Sequence, residues 1–360
     1  MKNIKYLLWV ITLVFCVLTF YSFSSQAQGS VVAQVDTSYA GIKNVEIKAR
    51  FCRVEIGAVD NTDKVSFFGD ITGNYSKGAY KFMHQKVGNT LKVWLDGKSF
   101  KIGFSIISKS KLMFKIPKGT NVVVQNTSGS VYGVGLNGAI THLAANSGSV
   151  KAANINSPKV YIKTSSGSIK TENISGKNIE FKSSSGSIRA ENVSGQTLIA
   201  QSSSGGQRWA NVTAEFTTQA NSGGIRVTGV KGNTSLRTSS GSIKVSNLTG
   251  NLKAKASSGG VYLKNVQGTL NVRASSGSIK GDEILLTGNS DFESRSGGIK
   301  MRLKNDLKKL DFDLRASSGS LRIGGQRSGK RFVLRNGNRI LVTGISRSGS
   351  QRYVSFDEGK

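Results

Sequence analysis

A glycine flanked by serine, or followed by a second glycine, recurs along this chain at a nearly constant interval, and that count constrains the fold more than any other feature. Taking the first Gly of each S-G-S or S-G-G unit as an index, the positions are Gly129, Gly148, Gly167, Gly186, Gly205, Gly223, Gly241, Gly259, Gly277, Gly297 and Gly319. The intervals are 19 residues four times, 18 four times, then 20 and 22. A flexible linker has no reason to keep such a count. The hexapeptide SSGSIK occurs three times, at Ser165–Lys170, Ser239–Lys244 and Ser275–Lys280, with close variants at Ser184–Arg189 and Ser317–Arg322.

Apolar residues keep the same phase. Two positions after each index glycine stand Val131, Val150, Ile169, Ile188, Gln207, Ile225, Ile243, Val261, Ile279, Ile299 and Leu321, with Gln207 the one polar member. A second apolar column lies seven positions after the index, and Asn precedes it at Asn154, Asn173, Asn192, Asn211, Asn247 and Asn265. A further alternating pair follows, such as Ile179/Phe181 and Leu252/Ala254. Each repeat therefore reads as two short strands with period-two alternation and two turns. The index glycine is expected to supply a positive φ at the Ser-Gly corner. A unit this small cannot bury its own apolar face. Stacked units can, with each coil hydrogen-bonded to the next about 4.8 Å away. The fold class is all-β: a parallel β-solenoid with 18–19-residue coils, an irregular β lead-in and a C-terminal β cap.

The organisation follows from where the count begins and ends. Residues 1–27 read as a signal peptide: Lys2 and Lys5 precede an apolar run over Tyr6–Phe23, and Ser25-Gln26-Ala27 offers small residues for cleavage; the run is also long enough for the alternative, an uncleaved membrane anchor. Cys16 follows Phe15, where a lipoprotein leader needs a small residue. Residues 28–120 are strand-like without the count and read as the irregular lead-in and N-terminal cap; Val45–Val54, Lys81–Trp94 around Gly88-Asn89, and Leu112–Ile116 alternate. Residues 121–325 carry the regular repeats. Residues 326–360 read as the C-terminal cap, with Phe332–Val342 as a hairpin about Asn336-Gly337-Asn338. Cys52 is the one cysteine past the leader. It can form neither an internal disulfide nor a cysteine-based zinc site, and it reads as a small core residue.

In order, the leader, the irregular β region, L-M-F-K-I-P (Leu112–Pro117), V-V-V-Q-N-T-S-G-S-V (Val122–Val131) and the serial S-S-G-S-I corners resemble the bacterial putative-adhesin family of β-strand-repeat domains, a domain-of-unknown-function family. The resemblance covers roughly residues 40–325. It implies a right-handed solenoid and an exported or envelope location. It brings no catalytic motif and no known ligand.

Charge needs its own account. With 50 Lys+Arg against 20 Asp+Glu, the formal net charge is +30, a field that favours anionic partners. Three positions after the index, next to the inward aliphatic and therefore facing outward, stand Lys151, Lys170, Arg189, Arg208, Arg226, Lys244, Tyr262, Lys280, Lys300 and Arg322. A second, less pure stripe lies four positions before the index and includes Lys163, Lys182, Arg237, Lys255 and Arg273, with Gln201, Gln219 and Glu293 among them. Neighbouring cations on such a stripe repel, and a polyanion laid along it would relieve the repulsion and release counterions. Anionic polysaccharide, lipopolysaccharide and extracellular DNA are the expected partner classes. Aromatic residues do not interleave with the stripe apart from Tyr262, so sequence-specific nucleic-acid readout is not expected. The plainer account is that Lys and Arg blunt a solvated sheet face.

Nothing points to a cofactor, a metal site or catalytic residues. His84 and His142 are far apart, and no carboxylate recurs at a fixed phase as a calcium-binding repeat would require. Asp282, Glu283, Asp291 and Glu293 form the one acidic cluster in the repeats and carry the competing reading, a polysaccharide-processing β-helix enzyme. A self-assembling fibre is the third reading. The preferred one is an exported, non-enzymatic and monomeric surface-binding or adhesion module with a cationic face, located in the periplasm, on the outer surface or in the medium, with no transmembrane domain once the leader is removed.

Overall fold

The computed structural model describes residues 30–73, 75–97, 107–337 and 340–356. The leader over residues 1–27 lies outside them. The chain divides into two compact units, Met1–Leu143 and Ala144–Lys360. Among the described residues, apart from one 3-10 turn at Leu307–Lys309, all regular structure is strand.

In the second unit the coils are as the count requires. Most hold two strands, for example Ile225–Lys231 and Thr234–Thr238, then Ile243–Thr249 and Leu252–Ala256, while in Ile169–Ser183, Ile188–Ser202 and Gln207–Ala220 the two halves run on as one strand. Each strand pairs in parallel with its counterpart one coil away, building two sheets. Alternate side chains point between the sheets. Ile169 pairs with Ile188, Ile188 with Gln207, Gln207 with Ile225 and Ile225 with Ile243, and all are buried. Three to five such side chains per coil, at about 1.5–3 kcal/mol each, drive the stacking.

The one polar member of the column is satisfied. Gln207 donates from Nε2 to Ser202 Oγ (2.9 Å) and to the Gln219 carbonyl (2.7 Å). Its Oε1 accepts from Trp209 Nε1 at 3.1 Å and from the Thr218 hydroxyl. Trp209 is fully buried, stacked on Phe181 at 5.6 Å and edge-on to Phe216 at 5.0 Å. Gln351 and Tyr353 repeat the device: Gln351 Nε2 donates to Ser346 Oγ (3.0 Å) and the Arg315 carbonyl (2.8 Å), and its Oε1 accepts from Tyr353 at 3.4 Å.

The glycines of the Ser-Gly corner serve a different purpose from the expected one. Of the index glycines only Gly319 has a positive φ (113°). The positive φ falls at the other corner, on Asn154, Asn173, Asn192, Asn211, Asn247 and Asn265, each between 50° and 56°. Asparagine tolerates this region better than other side chains, and the amides add a ladder, with Asn173, Asn192 and Asn211 each donating to the preceding Asn at 2.9 Å. What the index glycines supply is room. A Cβ on Gly167, Gly186, Gly205 or Gly223 would stand under 3.0 Å from the carbonyl oxygen of the glycine one coil back. Inside the corner, hydroxyls take those carbonyls as acceptors: Ser183 donates to Gly186 O at 2.6 Å and Thr238 to Gly223 O at 2.8 Å.

Stacking order departs from sequence order near the C-terminus. Residues 348–350 spell one more S-G-S, and Leu341–Ser348 with Gln351–Ser355 form one more coil. That coil lies between the Gly297 and Gly319 coils, pairing with Ser290–Ser294 and Ile299–Leu303 on one side and with Asp311–Ser318 and Leu321–Ile323 on the other. Phe332–Val342 is therefore not a hairpin. Arg331–Leu334 pairs antiparallel with Asp311–Ser318, which separates it from Leu341–Ser348. Together with Gln326–Ser328 on Leu321–Ile323, it edges the last coil with antiparallel strands.

The first unit shows similar threading. Its strands are β1 (Ser30–Ala40), β2 (Asn44–Ala49), β3 (Arg53–Val59), β4 (Lys64–Gly73), β5 (Tyr80–Val87), β6 (Thr90–Gly97), β7 (Ile107–Pro117), β8 (Asn121–Asn126) and β9 (Val131–Val134). β2 lies in parallel between β6 and β8, and β3 between β7 and β9. The lead-in thus contains coils, stacked out of sequence order. β4 and then β1 continue from β7 antiparallel, and β5 forms a hairpin with β6 about Gly88-Asn89, where the sequence alternates. Cys52, in the bend between β2 and β3, is buried and accepts from Ser110 Oγ at 2.8 Å; burial pushes its thiol up to about 11.

Two outcomes follow. Gly186→Ala should lower the unfolding free energy by more than ~3 kcal/mol or prevent folding, while Gly224→Ser, at a position Ser187 and Ser242 occupy in other coils, should change it by less than ~1 kcal/mol; urea denaturation measures both. Cys52 should ignore a thiol reagent at mildly alkaline pH in the folded protein and react once denatured, because its thiolate is not populated there.

Candidate functional site

The inward column of Ile and Val forces the next residue of each strand outward, and strand pairing then aligns those residues in one file. Lys151 pairs with Lys170, Lys170 with Arg189, Arg189 with Arg208, Arg208 with Arg226 and Arg226 with Lys244. Lys244 pairs with Tyr262, Tyr262 with Lys280, and Lys280 with Lys300. The last steps differ from the sequence count: Lys300 pairs with Arg352, and Arg352 with Arg322. The file thus runs over eleven coils with ten cations. Arg352 is the member the sequence reading missed. The signal was present, because S-G-S-Q-R-Y at Ser348–Tyr353 repeats S-G-G-Q-R-W at Ser204–Trp209.

Adjacent coils place these charges about 4.8 Å apart at the backbone, inside the ~8 Å screening length at physiological salt. Two cations held at that separation would repel by about 1 kcal/mol at the dielectric of water, before the side chains splay apart. Among the described residues Arg189, Arg208 and Arg226 are exposed and in no ion pair. Tyr262 breaks the run: Lys244 Nζ and Lys280 Nζ lie 5.6 and 5.9 Å from its ring centroid, so the ring face takes up charge where a cation would add to it.

Beside the file runs a shallow open trough lined by Ser187, Arg189, Arg208, Arg226, Ser242 and Lys244, with Gly206 and Gly224 as its floor. These glycines follow the index position, where Ser168, Ser187, Ser242 and Ser278 stand in other coils. At Gly260, the same position, the Tyr262 hydroxyl lies over the corner, 3.1 Å from where a Cβ would be.

The second stripe lies on the other sheet and faces away from the first. Lys163 pairs with Lys182, and Arg237 with Lys255 and then Arg273, but Gln201 and Gln219 part the two groups. It is also partly neutralised: Lys182 pairs with Glu180, and Arg273 with Glu293 at 3.6 Å. The structure does not bring the two stripes into one surface.

The acidic cluster is spread across both sheets. Asp282 pairs with Arg302 at 2.9 Å and Glu283 with Lys304 at 3.4 Å on one; on the other Glu293 meets Arg273, and Asp291 accepts from the Thr343 hydroxyl. Glu283 takes the left-handed corner position (φ 57°) that Asn holds elsewhere. Among the described residues no three His, Cys, Asp or Glu side chains converge as metal ligands would. His84 packs edge-on to Tyr39 and Phe67, and its Nδ1 is 2.5 Å from the Tyr39 hydroxyl. No helix of the described residues is long and apolar enough to cross a membrane.

No curated protein matches the chain. Three crystal structures resemble it over 89% of its length: a putative cell adhesion protein from Clostridium sporogenes (9% identity, 98% of that chain, TM-score 0.18), a putative adhesin from Bacteroides fragilis (12%, 97%, 0.31) and a putative lipid binding protein from Parabacteroides distasonis (16%, 97%, 0.36). The family model for Toastrack DUF4097 matches residues 42–246 and 211–340. These matches take in most of the chain, including every coil of the cation file except the one that carries Arg352, and the chain belongs to the Toastrack DUF4097 family.

Proposed function

We propose that this protein is an exported, non-enzymatic binding module of the cell envelope that holds polyanions along the file from Lys151 to Arg322. The observation that carries the reading is the register: ten cations on eleven successive coils, one per coil, with a tyrosine between two lysines at the remaining coil. Solubility asks only for scattered charge of both signs. A single-sign file in register keeps a repulsion that a bound chain of anions removes, with counterion release adding to the gain. Anionic polysaccharide, lipopolysaccharide and extracellular DNA all have the required chemistry. The second stripe, interrupted and partly paired, is a weaker candidate for the same task. The acidic residues are held in ion pairs and in a hydroxyl contact that account for them without catalysis. Export rests on the leader read from residues 1–27, and the protein is expected in the periplasmic or extracellular fraction of cells.

Changing Lys170, Arg189, Arg226 and Lys244 to Glu should weaken binding to heparin or lipopolysaccharide at least ~10-fold at physiological salt and flatten the dependence of log K on log salt by roughly 3 units. Equal retention of both proteins on an anionic column would leave the file as a solvated face.

A further inference from the structure

The trough beside the cation file has properties that a bare row of charges lacks. Its floor is the outward position directly after the index glycine, and at Gly206 and Gly224 the side chain is absent. The fold does not demand that absence at Gly206. A Cβ there would stand 3.4 Å from the nearest atom, the Gly224 carbonyl oxygen, in ordinary contact, and at Gly224 the corresponding distance is 3.2 Å. Neither glycine has a positive φ. Both contrast with their neighbours Gly205 and Gly223, where a Cβ would collide with backbone. The consequence is a strip of bare peptide, flanked by Arg189, Arg208, Arg226 and Lys244 and bounded at its two ends by Ser187 and Ser242. The floor carbonyls are already used in the ladder, with Gln207 N donating to Gly224 O at 2.9 Å and Ile188 N to Gly206 O at 3.1 Å. The strip therefore presents no side chain and floor carbonyls that already accept, with charge along its side and a hydroxyl at each end.

Resting on the proposed polyanion reading, we infer that this trough takes a linear acidic polysaccharide, a polyuronate-type chain with one carboxylate per sugar, lying along the coil axis with its rings on the Gly206–Gly224 strip. Three features favour this occupant over nucleic acid. The spacing of coils is about 4.8 Å, close to the advance per sugar in an extended glycan, so the carboxylates that face the file recur at whole numbers of coils. Consecutive phosphates of a single strand stand further apart than one coil, and those of a duplex run in helical rows that leave a single file of cations. Proteins that hold single strands along a cationic groove supply aromatic platforms for the bases; here the file offers one ring, Tyr262, and lysines on both sides engage it.

The test compares an oligogalacturonate hexamer with a thymidylate oligomer and a short DNA duplex of equal charge, by calorimetry on the purified protein at physiological salt. The uronate should bind at least ~10-fold tighter than either nucleic acid. Gly206→Gln, which fills the strip without touching a charge, should cost the uronate at least ~10-fold and leave thymidylate binding unchanged. Gly224→Ser, which copies Ser187 and Ser242, should keep the fold and reduce uronate binding by a smaller factor. Parity between uronate and nucleic acid, or uronate affinity indifferent to a folded Gly206→Gln protein, overturns the inference and leaves a general polyanion file. If Gly206→Gln does not fold, the comparison of ligands on the unaltered protein still decides. If none of the three binds, the polyanion reading itself falls, and the glycan with it.

Discussion

The close approach of one glycine to the carbonyl of the glycine a coil away is the contact on which the rest depends. Parallel hydrogen bonds set coils about 4.8 Å apart along the strands. At the Ser-Gly corner the backbone keeps that spacing while turning, and no Cβ fits between successive turns. Once the corners stack, the residue two positions on has one direction to face, into the core, and the next has one direction to face, out. The aliphatic column and the cation file are thus two readings of the same register. The ladder that buries Ile169, Ile188 and Ile225 also aligns Lys170, Arg189 and Arg226.

Much of this was legible because a repeat makes one unit's pattern testable against ten others. The strands, their inward faces and the cation file follow from phase alone. The φ assignment did not, since a glycine can be selected for conformation or for the space its missing Cβ leaves, and the letter G does not separate the two. The better clue lay at the opposite corner. Gly229 (φ 70°) stands in the asparagine column, and a column shared by Asn and Gly is what the left-handed region selects.

What the phase could not reveal is stacking out of order. Strand pairing is a contact between distant residues, and a count of intervals assumes that neighbours in sequence are neighbours in space. The interval of 22 before Gly319 was the visible trace of a coil belonging elsewhere. Arg352 was lost from the file for that reason alone, although its local sequence matches the coil of Arg208. The acidic cluster misled in the opposite sense: four carboxylates close in sequence fall on two sheets and are taken up one by one by Arg302, Lys304, Arg273 and Thr343.

The coil formed by residues 341–355 has a consequence for how the molecule is completed. It follows both of its neighbours in sequence, yet it is an interior layer, flanked on both sides by coils that precede it in the chain. A shortened chain would therefore not simply lose a frayed tail; it would be left with an open slot bordered by two unpaired strand edges and an unfilled place around Phe292 and Phe312 where Tyr353 belongs. Growth of the stack cannot run to its end one layer at a time from the N-terminus. Residues 341–355 act as a keystone, closing a gap between two layers that come before them in the chain.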